Sequence, residues 1–271
     1  MSSKDKHIYL LGRVSIGGDI FVVTGLRIGG RPTGIDIGGV DNIVLRNPLN
    51  HEPYIPGSSL KGKMRSLLER ADNRILNYQV GTDENPVYIH SCARAKQSTE
   101  YDDCDVCHIF GLPGEGTVKA DSPTRLLVRD VALKRESLEG RVPTFTEIKW
   151  EAAIDRITSA ANPRQMERVP AGAVFKNFDL TYSLYEVDGK GRDKEVERLL
   201  RVFEAMQLLE EDYLGGLGSR GSGKIQFQNI KIFFRRPNEK AQPYKEESTT
   251  LDKIDRNAVK TWVDERFKTG G

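Results

Sequence analysis

An α+β fold is predicted by three features of the 271-residue chain. Phe178, Leu180, Tyr182 and Leu184 alternate with polar residues at the period of a half-buried strand. Leu60, Met64, Leu67 and Leu68, and later Val196, Leu199, Leu200, Phe203 and Met206, recur at helical spacing. The order of these runs, β-α-β then β-α-β with long insertions, fits a ferredoxin-like core.

Residues 7–16 read as the first strand, with Ile8, Leu10, Val14 and Ile16 apolar. A glycine-rich stretch from Gly25 to Gly39 follows, too irregular for a helix and suited to wrapping a ligand. Ile43-Val44-Leu45 is a short apolar strand. Pro56-Gly57-Ser58-Ser59 opens the first helix, with Ser58 or Ser59 as its N-cap. Residues 77–120 are polar and turn-rich, and read as an insertion. Residues 126–131 form a strand, and 144–170 a charged excursion such as a long hairpin. The second helix runs from 194 to 214 and ends at Gly215, since glycine tolerates the left-handed conformation there. Residues 225–234 close the core. Beyond 237 the chain is polar, with Val259, Trp262, Val263 and Phe267 marking one short amphipathic helix. The expected organisation is one domain over 1–237 and an extension over 238–271.

Composition narrows the classes of partner. Hydrophobic residues make up 38% and charged residues 30%, with mean hydropathy −0.50. The net charge is only +2, so a nucleic-acid site must be a local patch. The first seven residues have no apolar stretch, and no run of 18 apolar residues occurs. Neither a secretory signal nor a membrane span is therefore expected, and the cytoplasm is the expected location.

Residues 215–224, Gly-Gly-Leu-Gly-Ser-Arg-Gly-Ser-Gly-Lys, contain five glycines. They match both G-x-G-x-x-G and G-x-x-x-x-G-K, but a mononucleotide loop needs a strand before it and a helix after it. Here a helix precedes and a strand follows, and Ile225 stands where a magnesium-binding Ser or Thr belongs. The exposed amides with Ser219, Arg220 and Lys224 suit a polymer backbone instead. The second anion-suited feature is Pro56 to Arg65. Serine hydroxyls and free amides lie at a helix N-terminus, and Lys61 and Arg65 are four residues apart on one face. Two such features suggest a track for a polyanion; the alternative for each is an ordinary cap or solvated face.

His90-Ser91-Cys92 and Cys104-Asp105-Val106-Cys107-His108 have the spacing of a tetrahedral zinc site. The expected ligands are His90, Cys92, Cys104 and Cys107, with His108 as the alternative fourth ligand and plain reduced cysteines as the competing reading. The ion would be structural, because no H-x-E type catalytic signature is nearby. Asp36 and Asp41 lie in the first glycine-rich segment, where a carboxylate can hold a divalent ion beside a phosphate or simply form a solvated turn. Asn162-Pro163-Arg164-Gln165-Met166-Glu167-Arg168 suits a hairpin arm lying on nucleic acid, or a salt-bridged surface arm.

These blocks together resemble a known family. Gly25 to Gly30, Pro56 to Arg65, Glu147 to Trp150, Ile154 to Thr158, Asn162 to Gln165 and Asp212 to Gly221 occur in the order seen in the backbone ribonuclease subunit of type III-A CRISPR effector (Csm) complexes, within the RAMP superfamily. The resemblance covers most of residues 8–234. It implies an RRM-like (ferredoxin-like) core, a lid carrying the zinc, and a thumb hairpin within about 144–172. It further implies a filament of copies on guide RNA, with other type III effector subunits as neighbours, in a prokaryotic cytoplasm. Target single-stranded RNA paired to the guide would be cut at regular intervals with Mg2+ or Mn2+. The family's catalytic aspartate corresponds to Asp41, before Asn42 to Pro48, and Asp36 becomes the second choice. Guide-phosphate contacts map to Ser58, Ser59, Lys61, Arg65, Gly218, Ser219 and Arg220. Arg27 joins them, although other members often carry His at its position. A non-catalytic guide-binding subunit is the alternative.

Overall fold

The computed structural model describes residues 7–29, 43–94, 99–142, 144–189, 192–245 and 249–268. Its centre is an antiparallel sheet in the order β11-β10-β1-β9-β6-β2, with β5 also paired to β9. These strands are β1 (Ile8–Val22), β2 (Tyr54–Ile55), β5 (Leu126–Val128), β6 (Val131–Leu133), β9 (Val174–Val187), β10 (Ile225–Arg235) and β11 (Gln242–Pro243). Helix α1 (Gly57–Ala71) follows β1, and α4 (Arg192–Glu211) follows β9. The core order β10-β1-β9-β5/β6, with one helix after each of the two central strands, is the ferredoxin-like arrangement.

β1 runs six residues past the expected end at residue 16. Gly17 and Gly18 do not break it. They let strands approach closely, since a Cβ at 18 would lie 2.6 Å from the Gln228 carbonyl oxygen. The extra residues of the register shifts here lie in the partner strands β10 and β9, so β1 keeps its alternation and Val14, Ile16, Ile20 and Val22 are all buried. The strand expected at 126–131 is instead split into β5 and β6. Asp130, at the break, accepts a hydrogen bond from the Gly57 amide at 2.7 Å.

Helix α1 buries Leu60, Met64, Leu67 and Leu68 as the spacing predicts. Its start differs. Pro56 is the cap residue in extended conformation, and its carbonyl accepts from Ser59 and Leu60. Proline needs no amide partner, and Gly57 must pass within contact of Val128: a Cβ there would sit 2.3 Å from its oxygen. Ser58 and Ser59 therefore occupy the first turn rather than the cap.

The insertion holds an exposed hairpin, β3 (Tyr78–Thr82) and β4 (Asn85–Ile89), and two short helices, α2 (Thr99–Asp102) and α3 (Asp105–Phe110). A second hairpin, β7 (Glu147–Ile154) and β8 (Ala161–Arg168), forms its own two-stranded sheet. Its turn is fixed by Asp155, which accepts from the Ile157 and Thr158 amides at 2.8 and 2.7 Å. The last helix, α5 (Arg256–Lys268), buries Val259 and Val263. Trp262 stands edge-on to Phe234 and Tyr244. Leu251 and Ile254 also join the core, so the polar C-terminal segment is docked against β10 and α4. Among the described residues, no helix is long and apolar enough to cross a membrane.

A buried ion network ties the insertion to the sheet. Glu195 of α4, fully buried, accepts from Arg125 at 3.0 Å and Arg198 at 3.1 Å. Arg198 continues to Asp105 of α3 and to the Asp102 carbonyl. Removing Glu195 leaves buried Arg125 without its carboxylate and Arg198 with only the partly exposed Asp105. Glu195→Ala is expected to lower unfolding free energy by about 3–5 kcal/mol in a denaturant titration. A loss below about 1 kcal/mol would show the network to be as weak as a surface pair.

Candidate nucleic-acid interface and metal centre

The loop after α4 is built by close backbone approach. Gly215 has φ 77°, and a Cβ on it would lie 2.2 Å from the Arg27 carbonyl oxygen. A Cβ at Gly218 would overlap the Tyr213 ring at 1.9 Å. The Gly216 amide donates to the Arg27 carbonyl at 2.8 Å, and the Gly223 amide to the Gly25 carbonyl at 3.0 Å. The two glycine-rich segments, remote in sequence, are thus one joined surface. Ser219 and Arg220 project from it and are exposed, and Arg220 pairs with Glu151 of β7 at 2.9 Å.

Helix α1 reaches the same loop through a residue that the sequence reading passed over. Lys63 bonds Asp212 at 3.1 Å and lies 3.6 Å above the Tyr213 ring centre. Ser58 is exposed in the first turn of α1 and Ser59 half-buried. The Lys61 ammonium donates to the Leu126 carbonyl at 2.8 Å. Burial, then the neighbouring Arg65 charge, lowers its pKa. The Arg65 guanidinium is turned inward, to Glu69 at 2.8 Å, the Gly111 carbonyl at 3.0 Å and the His90 carbonyl at 2.7 Å. Arg27 is half-buried beside the glycine loop.

Asp36 and Asp41 lie outside the described residues. The two ends of their segment are fixed. Gly29 and Val44 form an antiparallel bridge, and the Leu45 amide donates to the Ile28 carbonyl at 2.9 Å. Val44 is further held by Glu167 of β8, whose carboxylate accepts its amide at 2.7 Å. The same carboxylate accepts from Thr146 and Arg46. Burial alone would raise the Glu167 pKa, but the bonds from Val44, Thr146 and Arg46 outweigh it and hold it below the ordinary value. Leu26 exchanges both backbone bonds with Val169, just past β8. The loop ends, the hairpin base and the glycine loop therefore converge.

His90, Cys92, Cys104 and Cys107 offer donor atoms all within 4.8 Å of one another, and all four residues are buried. His90 Nε2 lies 3.2 Å from Cys104 Sγ and 3.5 Å from Cys92 Sγ. Its Nδ1 is 3.0 Å from the Ile75 carbonyl, so Nδ1–H donates there and Nε2 turns to the sulfurs. Bonds with Cys104 and Cys107 raise the His90 pKa to about 10. Cys107 and Cys92 push the Cys104 thiol far down, while bonds to Cys104 and Cys107 push Cys92 up. One imidazole nitrogen and three sulfurs converging at one point fit a thiophilic divalent cation. His108 is not part of the group. Its ring stacks on Tyr101 at 4.2 Å, and neither ring nitrogen has a hydrogen-bond partner among the described residues. Burial, then Arg198 and Arg125, lowers its pKa to about 3.

Residues 19–226, spanning both glycine segments and the cysteine cluster, match the family model for the RAMP superfamily. The chain belongs to the RAMP superfamily. Similar RAMP relatives include proteins named CRISPR system Cms endoribonuclease Csm3. One, from Methanocaldococcus jannaschii, is 37% identical over 95% of this chain and 97% of its own. Another, from Methanothermobacter thermautotrophicus, is 40% identical over 80% of this chain and 84% of its own. A third, from Mycobacterium tuberculosis, is 38% identical over 81% and 88%. A solved structure of a Csm3-Csm4 subcomplex of the type III-A CRISPR-Cas interference complex superposes with TM-score 0.54 and 26% identity, covering 95% of this RAMP chain and 97% of the other.

The depressed Glu167 pKa makes a signed prediction. Its stabilisation is present above the unfolded carboxyl pKa of about 4.3 and is lost as pH falls through the lower folded value. Glu167→Gln should therefore lower the urea midpoint at neutral pH, and the difference from wild type should shrink at acid pH, below the ordinary carboxyl range. An equal difference at both pH values would remove the carboxylate from this account.

Proposed function

We propose that this chain is a backbone subunit of a type III CRISPR effector that assembles along guide RNA and cuts guide-paired target RNA at regular intervals. The observation that carries the reading is the convergence of both glycine-rich segments with the base of the β7–β8 hairpin. The relatives' name, CRISPR system Cms endoribonuclease, supplies the reaction class. The guide phosphates are assigned to Ser58, Ser59, Lys61, Gly218, Ser219 and Arg220, with Arg27 beside them. Arg65 is removed from that set, because its guanidinium is committed to Glu69, Gly111 and His90.

The hairpin is assigned the role of a thumb that distorts the guide–target duplex. Ile148, Trp150 and Ile154 are exposed on one face of β7, an apolar strip suited to unstacked bases. Arg220 and Glu151 tie the strand beside that strip to the glycine loop, so thumb and guide contacts would move as one body. Residues 1–237 are taken as the RNA-binding unit and 238–271 as an appended segment that packs on it.

Cutting is assigned to Asp41, three residues before the anchored Val44. Carboxylate oxygens such as those of Asp41 and Asp36 suit Mg2+ or Mn2+. Such an ion would stabilise the charge that develops on the scissile phosphate. Asp41→Ala is expected to leave guide and target binding within about twofold, and to lower cleavage by the assembled complex by more than about a hundredfold, a catalytic-group effect. Retained cutting would sink the assignment of Asp41; RNA binding without cutting in wild type would establish the non-catalytic reading.

For the cysteine cluster, zinc is assigned as a structural ion, since all four tetrahedral positions would be filled by protein. Elemental analysis of purified protein should find about one zinc per chain, and stripping it should lower the melting temperature. Metal-free protein of unchanged melting temperature would return the cluster to plain cysteines.

A further inference from the structure

The cluster's ligands come from two arms. His90 and Cys92 follow β4, whereas Cys104 and Cys107 cap and occupy α3. One side-chain pair on α1 touches both. Arg65 Nη2 donates to the His90 carbonyl at 2.7 Å, and Nη1 to the Gly111 carbonyl at 3.0 Å. Gly111 ends α3, its amide bonded to the Cys107 carbonyl at 3.0 Å. Arg65 Nε is held by Glu69 Oε1 at 2.8 Å, and the same oxygen accepts the His90 amide at 3.3 Å. The pair thus grips the main chain of His90 from both sides and reaches across to the end of the other arm.

The remaining contact comes from the same helix's tail. His90 Nδ1 meets the Ile75 carbonyl, and the Arg74 amide before it is bonded to the Glu69 carbonyl at 2.8 Å. So α1 and the four residues after it set His90's amide, carbonyl and ring together. Glu69 is only 4% exposed and the Arg65 side chain 15%. This is a desolvated pair, and removing one partner leaves the other's charge buried and uncompensated.

We propose that Arg65 and Glu69 are positioning residues of the metal centre, holding its two ligand arms in register. This rests on the reading of the cluster as a metal site. Partners of this kind orient the ligand ring and the backbone that carries it, and losing them weakens metal binding without removing a ligand. Linkage makes the effect mutual: the bound ion also fixes α1, whose first turn carries Ser58 and Ser59.

The test uses the zinc-loaded full-length chain with Arg65→Lys, Glu69→Ala and Glu69→Gln, and with Arg70→Ala as control. The Arg70 side chain is exposed and, among the described residues, bonds Ser66 of its own helix. Zinc affinity is measured by competition with a chromophoric chelator, Co2+-substituted protein gives the thiolate absorption spectrum, and melting curves are taken with and without metal. Arg65→Lys and Glu69→Ala should weaken zinc about 10- to 100-fold and alter the cobalt spectrum, as losses around metal ligands do. Glu69→Gln, which keeps an acceptor oxygen, should recover most of the affinity, and Arg70→Ala should match wild type. Unchanged affinity in all variants, with metal-free and metal-loaded melting temperatures falling together, would make the pair merely structural and overturn the proposal. Wild-type protein that binds no zinc would overturn the metal reading itself, a result distinguishable before any variant is made.

Discussion

Residues 25–29 are a shared edge on which the rest of the proposed RNA surface depends. Main-chain bonds leave this stretch toward Gly216 and Gly223 on one side, Val169 on another, and Val44 and Leu45 on a third. Backbone can meet backbone at such density only where side chains are absent or turned away. This is why Gly215 sits at φ 77° with its Cβ space taken by the Arg27 carbonyl; Gly223, at φ 87°, meets the Leu214 carbonyl of its own loop in the same way. The edge converts three segments from distant parts of the sequence into one rigid base.

Charge is then used to lock the additions onto that base. Glu167 binds Val44, Thr146 and Arg46, which joins the hairpin to the end of the segment containing Asp41. Arg198 and Glu195 do the same for the helices of the insertion, and Arg65 with Glu69 for the cysteine cluster. Each is a partly or fully desolvated ion pair with main-chain partners, which is specific in geometry because a misplaced partner leaves a buried charge unsatisfied. The insertion buries Tyr101, Val106, Ile109 and Phe110 in the core, and these bonds and the four clustered ligands hold it further.

The difference between Arg65 and Arg220 shows what decides a basic residue's role. Both lie in glycine-flanked, anion-suited sequence. Arg220 stays exposed at the loop surface beside Glu151, whereas Arg65 lies about two turns into α1 and meets two carbonyls. A long flexible cation takes whatever acceptors surround it, and sequence spacing does not say which those are.

The sequence alone determined the periodic elements, because strand alternation and helical spacing are local: Phe178 to Leu184, Leu60 to Leu68 and Val196 to Met206 fall where their periods place them. It also picked out His90, Cys92, Cys104 and Cys107, whose spacing is a short-range property of two knuckles. Only the tertiary structure decided between His90 and His108, made Gly17-Gly18 part of a strand, split residues 126–131, and gave Lys63, Glu167 and Arg65 their partners. Those outcomes rest on contacts such as Glu167 with Val44, 123 residues apart. They are fixed by which backbones approach closely once the sheet has formed, and no local pattern encodes that.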